Sequence, residues 1–251
     1  MRWIRALCLL ALLLPNLAMA ERWRLGTVEL PPSISAHAVQ QGYYAVLLRR
    51  VLQEIGAQAE FVFLPPQRAY QMALEGQLDG AFPYKRTLER ERFFWFSEPF
   101  FMAKVQVFLR ASDGWDPGGI RDLRSQIGCT LQGAQAPAVL QIEIDAQRVP
   151  LERVSQIEAC FRMLQAGRVR FVIAGQNTGW AAAQALRAEG PRLRAAHFVL
   201  AEEPVHLALS RRVPASSERL RAFNQALRKL RAQGVLQQLE AAHVPPPPPL
   251  E

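Results

Sequence analysis

The chain has few residues of the kinds that hold metals or form covalent intermediates. Of its 251 residues, only three are Cys and four are His. The sequence also lacks the nucleophile motifs of known hydrolases, so we expect no cofactor, no metal site and no enzymatic activity. The histidines do not have the spacing of metal ligands; they are His37, His197, His206 and His243.

After residue 20 the sequence also lacks a long apolar segment. The first twenty residues have the pattern of a secretory signal, in which two arginines precede an apolar stretch at 6–14 and an Ala18-Met19-Ala20 cleavage site. The stretch is too short to span a bilayer, although a membrane anchor that stays uncut is the alternative. We expect cleavage before Glu21 and export of a soluble protein to a bacterial periplasm.

Acidic residues are outnumbered by basic ones. The chain has 22 Asp and Glu against 30 Lys and Arg, a formal charge of +8, which falls by two to +6 when Arg2 and Arg5 leave with the signal. A basic surface favours an anionic ligand or an acidic partner. We do not expect nucleic acid as the partner, because the arginines are dispersed and no nucleic-acid motif is present. A hydrophobic content of 50% is sufficient for a substantial core in one or two domains.

Two cysteines remain in the mature chain, since Cys8 leaves with the signal. Cys129 ends an apolar segment, and Cys160 lies on the apolar stripe of a predicted helix. In an oxidising compartment the two sulfurs form a disulfide or stay as buried thiols. Sequence leaves both possibilities open, because it does not give the distance between the two Cα atoms.

The arrangement of apolar segments predicts an α/β fold. A strand at 23–29, a helix from Gly42 and a strand at 59–64 form a β–α–β unit, which implies parallel strands with helices on the faces of the sheet. A helix–Gly–strand pattern at 73–82 occurs again at 163–172. In each copy the Gly follows a predicted helix and accepts the left-handed conformation that ends it. The repeat predicts two lobes with a cleft between them.

Several short motifs occur in an order that resembles a known family. Together they resemble the extracellular solute-binding proteins of family 3, the receptors of polar amino-acid ABC importers. In the first lobe the motifs are Gly76-x-x-Asp79, Thr87-x-x-Arg90 and Phe96-Ser97-Glu98-Pro99; further along the chain they are Asp122-Leu123, Ile127-Gly128, Leu164 with Gly167-Arg168-Val169, and Phe223-Asn224 with Leu227 and Leu230.

The resemblance implies the two-lobed periplasmic-binding-protein fold of type II. Each lobe is then a mainly parallel sheet flanked by helices, and two chain crossings between the lobes form a hinge. We expect the first lobe to comprise 21–108 and 205–244 and the second lobe 109–204. Residues 245–251 then form a disordered, proline-rich tail, or alternatively a short docking peptide.

The resemblance also suggests where a ligand binds. In the family, the Arg of the T-x-x-R motif holds the ligand's carboxylate, a role that Arg90 matches by spacing and that suits a planar guanidinium. The alternative is a solvated Arg in a charge-rich segment. The other predicted contacts are Tyr84, Lys85, Arg68, Glu29, Tyr44, Gln132, Gly133 and Gln176; Phe82 is a further aromatic candidate. Four of these residues have a structural alternative: Tyr44 in the core, Lys85 in solvent, Arg68 paired with Glu75 or Asp79, and Glu29 on the surface.

The second lobe departs from the family pattern for amino-acid receptors. Ala134-Gln135-Ala136 stands where Ser or Thr hydroxyls are usual, and Arg170 replaces the usual Asp. The acid that holds an α-amino group is missing from Ala174-Gly175-Gln176. An ammonium group without a partner is costly in a closed cleft. Gln132 and Gln176 can offer neutral hydrogen bonds, and an organic acid or another anionic solute suits the excess positive charge.

We therefore predict a monomeric periplasmic protein that captures a small polar or anionic solute, an amino acid or an organic acid, and delivers it to a membrane ABC permease. One alternative is a sensory or partner-binding module of the same fold. A less favoured alternative is an enzyme such as the periplasmic cyclohexadienyl dehydratases, which needs a placed acid–base pair, whereas Glu29 is a single carboxylate.

Overall fold

The structure is a computed structural model that describes residues 21–132, 134 and 136–243. The predicted signal peptide, Gly133 and the proline-rich tail lie outside the described residues. Within the described range, none of the helices has the length and apolar character needed to cross a membrane.

The described residues form nine strands and seven α-helices. The strands are β1 (Glu21–Thr27), β2 (Ala57–Phe63), β3 (Gly80–Tyr84), β4 (Phe94–Phe96), β5 (Phe101–Arg110), β6 (Gly128–Leu131), β7 (Leu151–Val154), β8 (Phe171–Gly175) and β9 (Leu193–Ser210). The helices are α1 (Tyr43–Glu54), α2 (Pro66–Leu74), α3 (Ala138–Asp145), α4 (Ile157–Gln165), α5 (Gln176–Ala185), α6 (Ser216–Ala232) and α7 (Val235–His243).

The repeat predicted from the sequence is present as two copies of one topology. In the first lobe, β1–α1–β2–α2–β3 places three parallel strands in the order β2-β1-β3; in the second, β6–α3–β7–α4–β8 places them in the order β7-β6-β8. Gly76 follows α2 with φ +80° and Gly167 follows α4 with φ +72°, the left-handed conformation that the pattern predicted. The helix–Gly–strand prediction is confirmed in both copies.

Two long antiparallel strands join the lobes. β9 pairs with β5 from Leu193↔Arg110 to Val205↔Phe101, and its last residues pair with β3 and β4 of the first lobe. β5 in turn pairs with β8 of the second lobe. The complete sheet is therefore mixed, in the order β2-β1-β3-β9-β5-β8-β6-β7. The residue boundaries between the lobes stay a prediction.

β9 is the longest strand and contains residues that are unusual in a strand. Its 18 residues include Pro204, paired with Met102, and the acidic residues Glu202 and Glu203. A proline lacks an N–H for the ladder, and charges break the apolar pattern that is typical of a strand. Pairing with β5 overrides that local signal.

Each lobe has its own apolar core. In the first lobe, α1 and α6 pack over the sheet around Trp23, Leu48 and Phe223, all fully buried. In the second lobe, Phe108 packs edge-on against Phe161, and α4 and α5 cover this face. Burial of such large side chains is the main favourable contribution to folding of each lobe.

The second lobe also contains an ion-pair network. The Glu143 carboxylate of α3 accepts hydrogen bonds from Arg124 Nε at 2.9 Å and Nη2 at 2.8 Å, and from Arg148 Nε at 2.6 Å. Hydrogen bonds from Arg124, then from Arg148, lower the pKa of this carboxyl to about 2. The network ties α3 to the segments that precede and follow it.

We expect Glu143→Gln to destabilise the protein in a pH-dependent way. Because the folded-state pKa is lowered, the stabilisation is complete above the ordinary value of 4.5 and is lost as the pH falls toward about 2. The difference in Tm between parent and variant, measured from pH 7 to pH 2, should shrink to zero at the acid end. The exposed Glu152→Gln serves as the control. A difference that does not change with pH would contradict this account.

The structure joins Cys129 of β6 to Cys160 of α4 as a disulfide, with Cα atoms 5.5 Å apart. Both residues are fully buried. The bond fastens the helix of the second β–α–β step to its central strand across a loop of 31 residues.

Loss of this disulfide should lower the free energy of unfolding by about 3–4 kcal/mol, because closing a loop of this length restricts the unfolded chain by that amount. Denaturant titration of a Cys129→Ala, Cys160→Ala double variant measures the change. The parent treated with reductant should match the variant, and the variant should not respond to reductant. A parent whose unfolding midpoint is unaffected by reductant would refute the prediction.

Candidate functional site

A cavity of about 370 Å³ lies between the lobes. Parallel strands of both lobes end at it, since Tyr84 of β3, Leu131 of β6 and Gly175 of β8 all line it. Ligands of open α/β sheets bind beyond such carboxyl ends. The central strands complete the wall, through residues 101–105 of β5 and 203–205 of β9.

Most side chains that line the cavity are apolar. They include Leu30, Pro83, Phe101, Val105, Leu131, Leu140, Leu151, Ile157, Ile173 and Val205. Hydroxyl and amide groups stand among them; these belong to Ser33, Thr130, Gln176, Asn177 and Thr178. The cavity therefore suits a solute with an apolar body and a few polar groups.

The charged groups of the lining largely compensate one another. Lys85 forms an ion pair with Glu203, and Lys104 lies 3.9 Å from Glu202. Desolvation raises the pKa of the Glu240 carboxyl and Lys104 opposes the shift, although much of Glu240 is exposed to solvent. The basic character of the whole chain is thus not concentrated in this cavity.

Arg90 lies directly behind the lining. Its guanidinium stacks on the Tyr84 ring at 4.7 Å from the centroid and on Tyr70 at 5.8 Å, and its Nη1 donates a hydrogen bond to the Lys85 carbonyl at 3.0 Å. Among the described residues, no carboxylate forms an ion pair with Arg90. Burial raises the pKa of the Tyr84 hydroxyl, and the charge of Arg90 opposes the shift.

Four of the predicted contact residues line the cavity: Tyr44, Tyr84, Lys85 and Gln176. Tyr44 is also a core residue, 5% exposed and edge-on to Phe82 and Phe100. Burial raises the pKa of its hydroxyl strongly, and a hydrogen bond with Ser33 opposes the shift. The two roles considered for Tyr44 are compatible, because one edge of its ring packs in the core while the residue still reaches the cavity.

Arg68, Glu29 and Gln132 do not belong to the described lining. Arg68 is exposed at the start of α2, and its proposed partner Asp79 pairs with Arg219 at 2.7 Å instead. The exposed Glu29 accepts a hydrogen bond from the Ala36 N–H at 3.0 Å. A hydrogen bond from Ser35, and then the one from Ala36, lower its pKa. The main-chain N–H of Gln132 donates to Val154 O at 2.7 Å, and its side chain is exposed.

Sequence reasoning missed the contribution of β5 and β9. None of the predicted contact residues lies in these two strands, whereas residues 102–105 and 203–205 line the cavity from within them. At the start of α5 the prediction named only Gln176, whereas Asn177 and Thr178 also line the cavity. Thr178 Oγ1 donates a hydrogen bond to Pro31 O of the first lobe at 3.4 Å. The sequence carries no local signal for contacts between segments so far apart in the chain.

Two lobes, each with a central parallel sheet, and a cavity between them are the features of a type II periplasmic-binding-protein fold. The chain belongs to the bacterial extracellular solute-binding proteins, family 3. The sequence model of this family matches residues 25–245. No curated protein matched the chain.

Solved structures of the same fold cover nearly the whole chain. The GluR0 ligand-binding core from Nostoc punctiforme in complex with L-glutamate is 21% identical, with a TM-score of 0.67 over 89% of this chain and 100% of that one. An ancestral arginine-binding protein bound to arginine is 19% identical, with a TM-score of 0.69 over 90% and 99%. A histidine kinase sensor domain with similarity to periplasmic binding proteins is 18% identical, with a TM-score of 0.71 over 90% and 97%. At these identities the likeness concerns the fold.

Proposed function

We propose that the protein captures a small carboxylate solute with an apolar body and delivers it to a membrane ABC permease. The observation that carries the proposal is the cavity of about 370 Å³ whose walls come from both lobes. A solute bound there contacts both lobes at once, so it favours the closed arrangement over the open one. The cavity has the size of ordinary small-molecule sites.

Arg90 supports an anionic group on the solute. Its guanidinium is held by two tyrosines and lacks a carboxylate partner in the described structure, so a solute carboxylate can become that partner. Tyr84 lines the cavity and stacks on Arg90, and in the proposed complex the Tyr84 side chain rotates so that the guanidinium reaches the solute. An interaction of this kind contributes about 1.5–3 kcal/mol.

The lack of an acidic side chain at Gly175 argues against an ordinary α-amino acid as the solute. It lines the cavity at the carboxyl end of β8, where amino-acid receptors of this family place an acid for the ammonium group. The lining carboxylate Glu203 is already paired with Lys85. We therefore favour an organic acid over an amino acid.

The remaining parts of the proposal are supported by the predicted export signal and by the family. The mature protein acts as a monomer in the periplasm, binds without covalent chemistry and meets its permease from outside the membrane. A sensory role is the second candidate, supported by the likeness to a histidine kinase sensor domain. In that role the closed form is recognised by a signalling partner instead of a permease.

A thermal-shift screen of the mature protein against organic acids and amino acids tests the proposed solute class. A ligand that binds only the folded state raises Tm by mass action. We expect a saturable shift with organic acids and no turnover of the hit. Arg90→Met should weaken binding about tenfold or more, since it removes a charge-assisted contact. Arg86→Met is the matched control, because Arg86 is exposed and pairs with Glu91.

Turnover of the hit would favour an enzyme. Equal affinities of the Arg90→Met and Arg86→Met variants for the solute would show that Arg90 does not contact it. A panel in which only amino acids shift Tm would contradict the proposed solute class. Co-purification of the liganded protein with a kinase rather than a permease would favour the sensory candidate.

Gly175→Asp should create affinity for α-amino acids. A Cβ at this position meets no atom within 4 Å, so a carboxylate fits beside the cavity and can accept hydrogen bonds from an ammonium group. Because residue 175 precedes α5, the new Asp can also cap that helix and raise Tm without ligand, so the readout is the ligand-dependent shift. Gly114→Asp, at another site with open space around the Cβ, is the control. Amino-acid shifts that are equal in the two variants would contradict the prediction.

A further inference from the structure

The outer edge of the first-lobe sheet carries two exposed aromatic side chains. Within the described residues β4 pairs only with β9, and Trp95 of β4 lies opposite Leu209. Phe93, directly before β4, is 43% exposed, and Trp95 is 36% exposed. Every other Phe, Trp and Tyr of the described residues is buried or half-buried. Single exposed apolar side chains are common, whereas two neighbouring exposed rings indicate an interaction surface.

Arg211 joins the two rings into one surface. Its main-chain N–H donates a hydrogen bond to Phe93 O at 3.0 Å, and its guanidinium lies over the Trp95 ring, 3.5 Å from the centroid. Arg92 and Arg212 are the chain neighbours of this contact and are also exposed. None of the three arginines forms an ion pair with another described residue. We call Arg92, Phe93, Trp95, Arg211 and Arg212 the edge patch.

The surroundings of the edge patch are basic. Residues 86–95 and 211–212 contain five arginines and two glutamates, which gives these segments a net charge of +3. One of the two glutamates, Glu91, already forms an ion pair with Arg86. The other, Glu89, is exposed. The edge patch therefore combines uncompensated positive charge with aromatic surface, and its charge complements an anionic partner.

The edge strand is a poor site for an added peptide strand. β4 has only three residues, and Phe94 O already accepts a hydrogen bond from Arg211 Nε at 3.4 Å. Strand addition gains its affinity from main-chain hydrogen bonds along an edge, and short edges limit it. Aromatic rings beside arginines suit a lipid surface instead, because the rings lie at the level of the headgroups and the cations attract anionic lipids.

We propose that the edge patch binds the surface of an anionic phospholipid membrane. Phe93 and Trp95 lie among the headgroups, and the three arginines face the lipid phosphates. The edge patch shares no residue with the described lining of the cavity, so a bound membrane leaves the cavity free for a solute. Attachment of this kind concentrates the receptor near a membrane permease; that benefit rests on the proposed function, whereas the membrane contact does not.

Co-sedimentation of the mature chain with vesicles tests the contact without any solute. The vesicles contain equal parts of phosphatidylglycerol and phosphatidylcholine, and pure phosphatidylcholine vesicles are the reference. The chain should bind the anionic vesicles much more tightly than the reference, and equal binding to both would overturn the proposal. Each arginine near an anionic surface strengthens binding about fivefold, so the triple variant Arg92→Gln, Arg211→Gln, Arg212→Gln should bind about a hundredfold more weakly.

A second triple variant separates the edge patch from the net charge of the chain. Arg121→Gln, Arg153→Gln, Arg187→Gln removes the same charge from three exposed positions of the second lobe. Charges farther from the membrane than the Debye length of about 8 Å act weakly, so this variant should bind as the parent does. Equal losses in the two triple variants would show an effect of net charge alone and would contradict the assigned surface.

Brominated lipids test whether Trp95 reaches the bilayer, because bromine quenches the fluorescence of an indole only at short range. Trp23 and Trp180 are buried and Trp115 is half-buried, so the quenching should come from Trp95. Trp95→Phe should abolish the quenching while the chain still binds the vesicles, and Trp115→Phe should leave the quenching unchanged. Quenching that persists in Trp95→Phe would refute the assigned orientation.

The double variant Phe93→Ser, Trp95→Ser keeps all the arginines and tests the aromatic contribution. It should weaken binding to the anionic vesicles about tenfold, since each ring has only part of its surface left to bury. Val139→Ser, Ile142→Ser on α3 is the control, because it removes two other exposed apolar side chains. Binding of soluble oligothymidylate with the same dependence on Phe93 and Trp95 would assign the edge patch to a soluble polyanion and overturn the membrane proposal. None of these measurements involves the solute, so the two proposals fail separately.

Discussion

The antiparallel pairing of β5 with β9 is the constraint on which the rest of the molecule depends. β9 belongs to both lobes, since its first residues pair with β5 and its last residues with β3 and β4. This ladder brings the carboxyl ends of the parallel strands of both lobes to one cavity. The register of the ladder shifts between Val105 and Gln106, and Pro204 of β9 has no N–H to donate. Such irregularities are places where paired strands can bend.

Local charge compensation shapes what the cavity can bind. The chain is basic, yet the two lysines of the cavity lie beside acids of β9, and Arg90 is held against two tyrosine rings. Most of the remaining lining is apolar, so a ligand gains from burial of its body and from a few directed hydrogen bonds. Net charge in this protein therefore says little about the site, because paired charges act mainly on each other.

The loop after β1 and the start of α5 form a contact between the lobes. Thr178 Oγ1 donates a hydrogen bond to Pro31 O, and Ser33 and Asn177 of the same two segments line the cavity. A group bound in the cavity therefore contacts both of these segments. Within the second lobe, the disulfide of Cys129 and Cys160 ties α4 to β6.

Sequence alone was sufficient for the features set by neighbouring residues. The repeated helix–Gly–strand pattern predicted Gly76 and Gly167 as left-handed helix ends, and the order of the short motifs predicted the family and its fold. The resemblance also suggested Tyr84, Lys85 and Gln176 as ligand contacts, and these three residues line the cavity. The tertiary structure alone decided that Arg68 and Glu29 lie away from the cavity, that Arg90 rests behind Tyr84, and that β5 and β9 line the site. The reason is physical: pairing between residues about a hundred positions apart depends on the packing of whole lobes, and no local pattern encodes it.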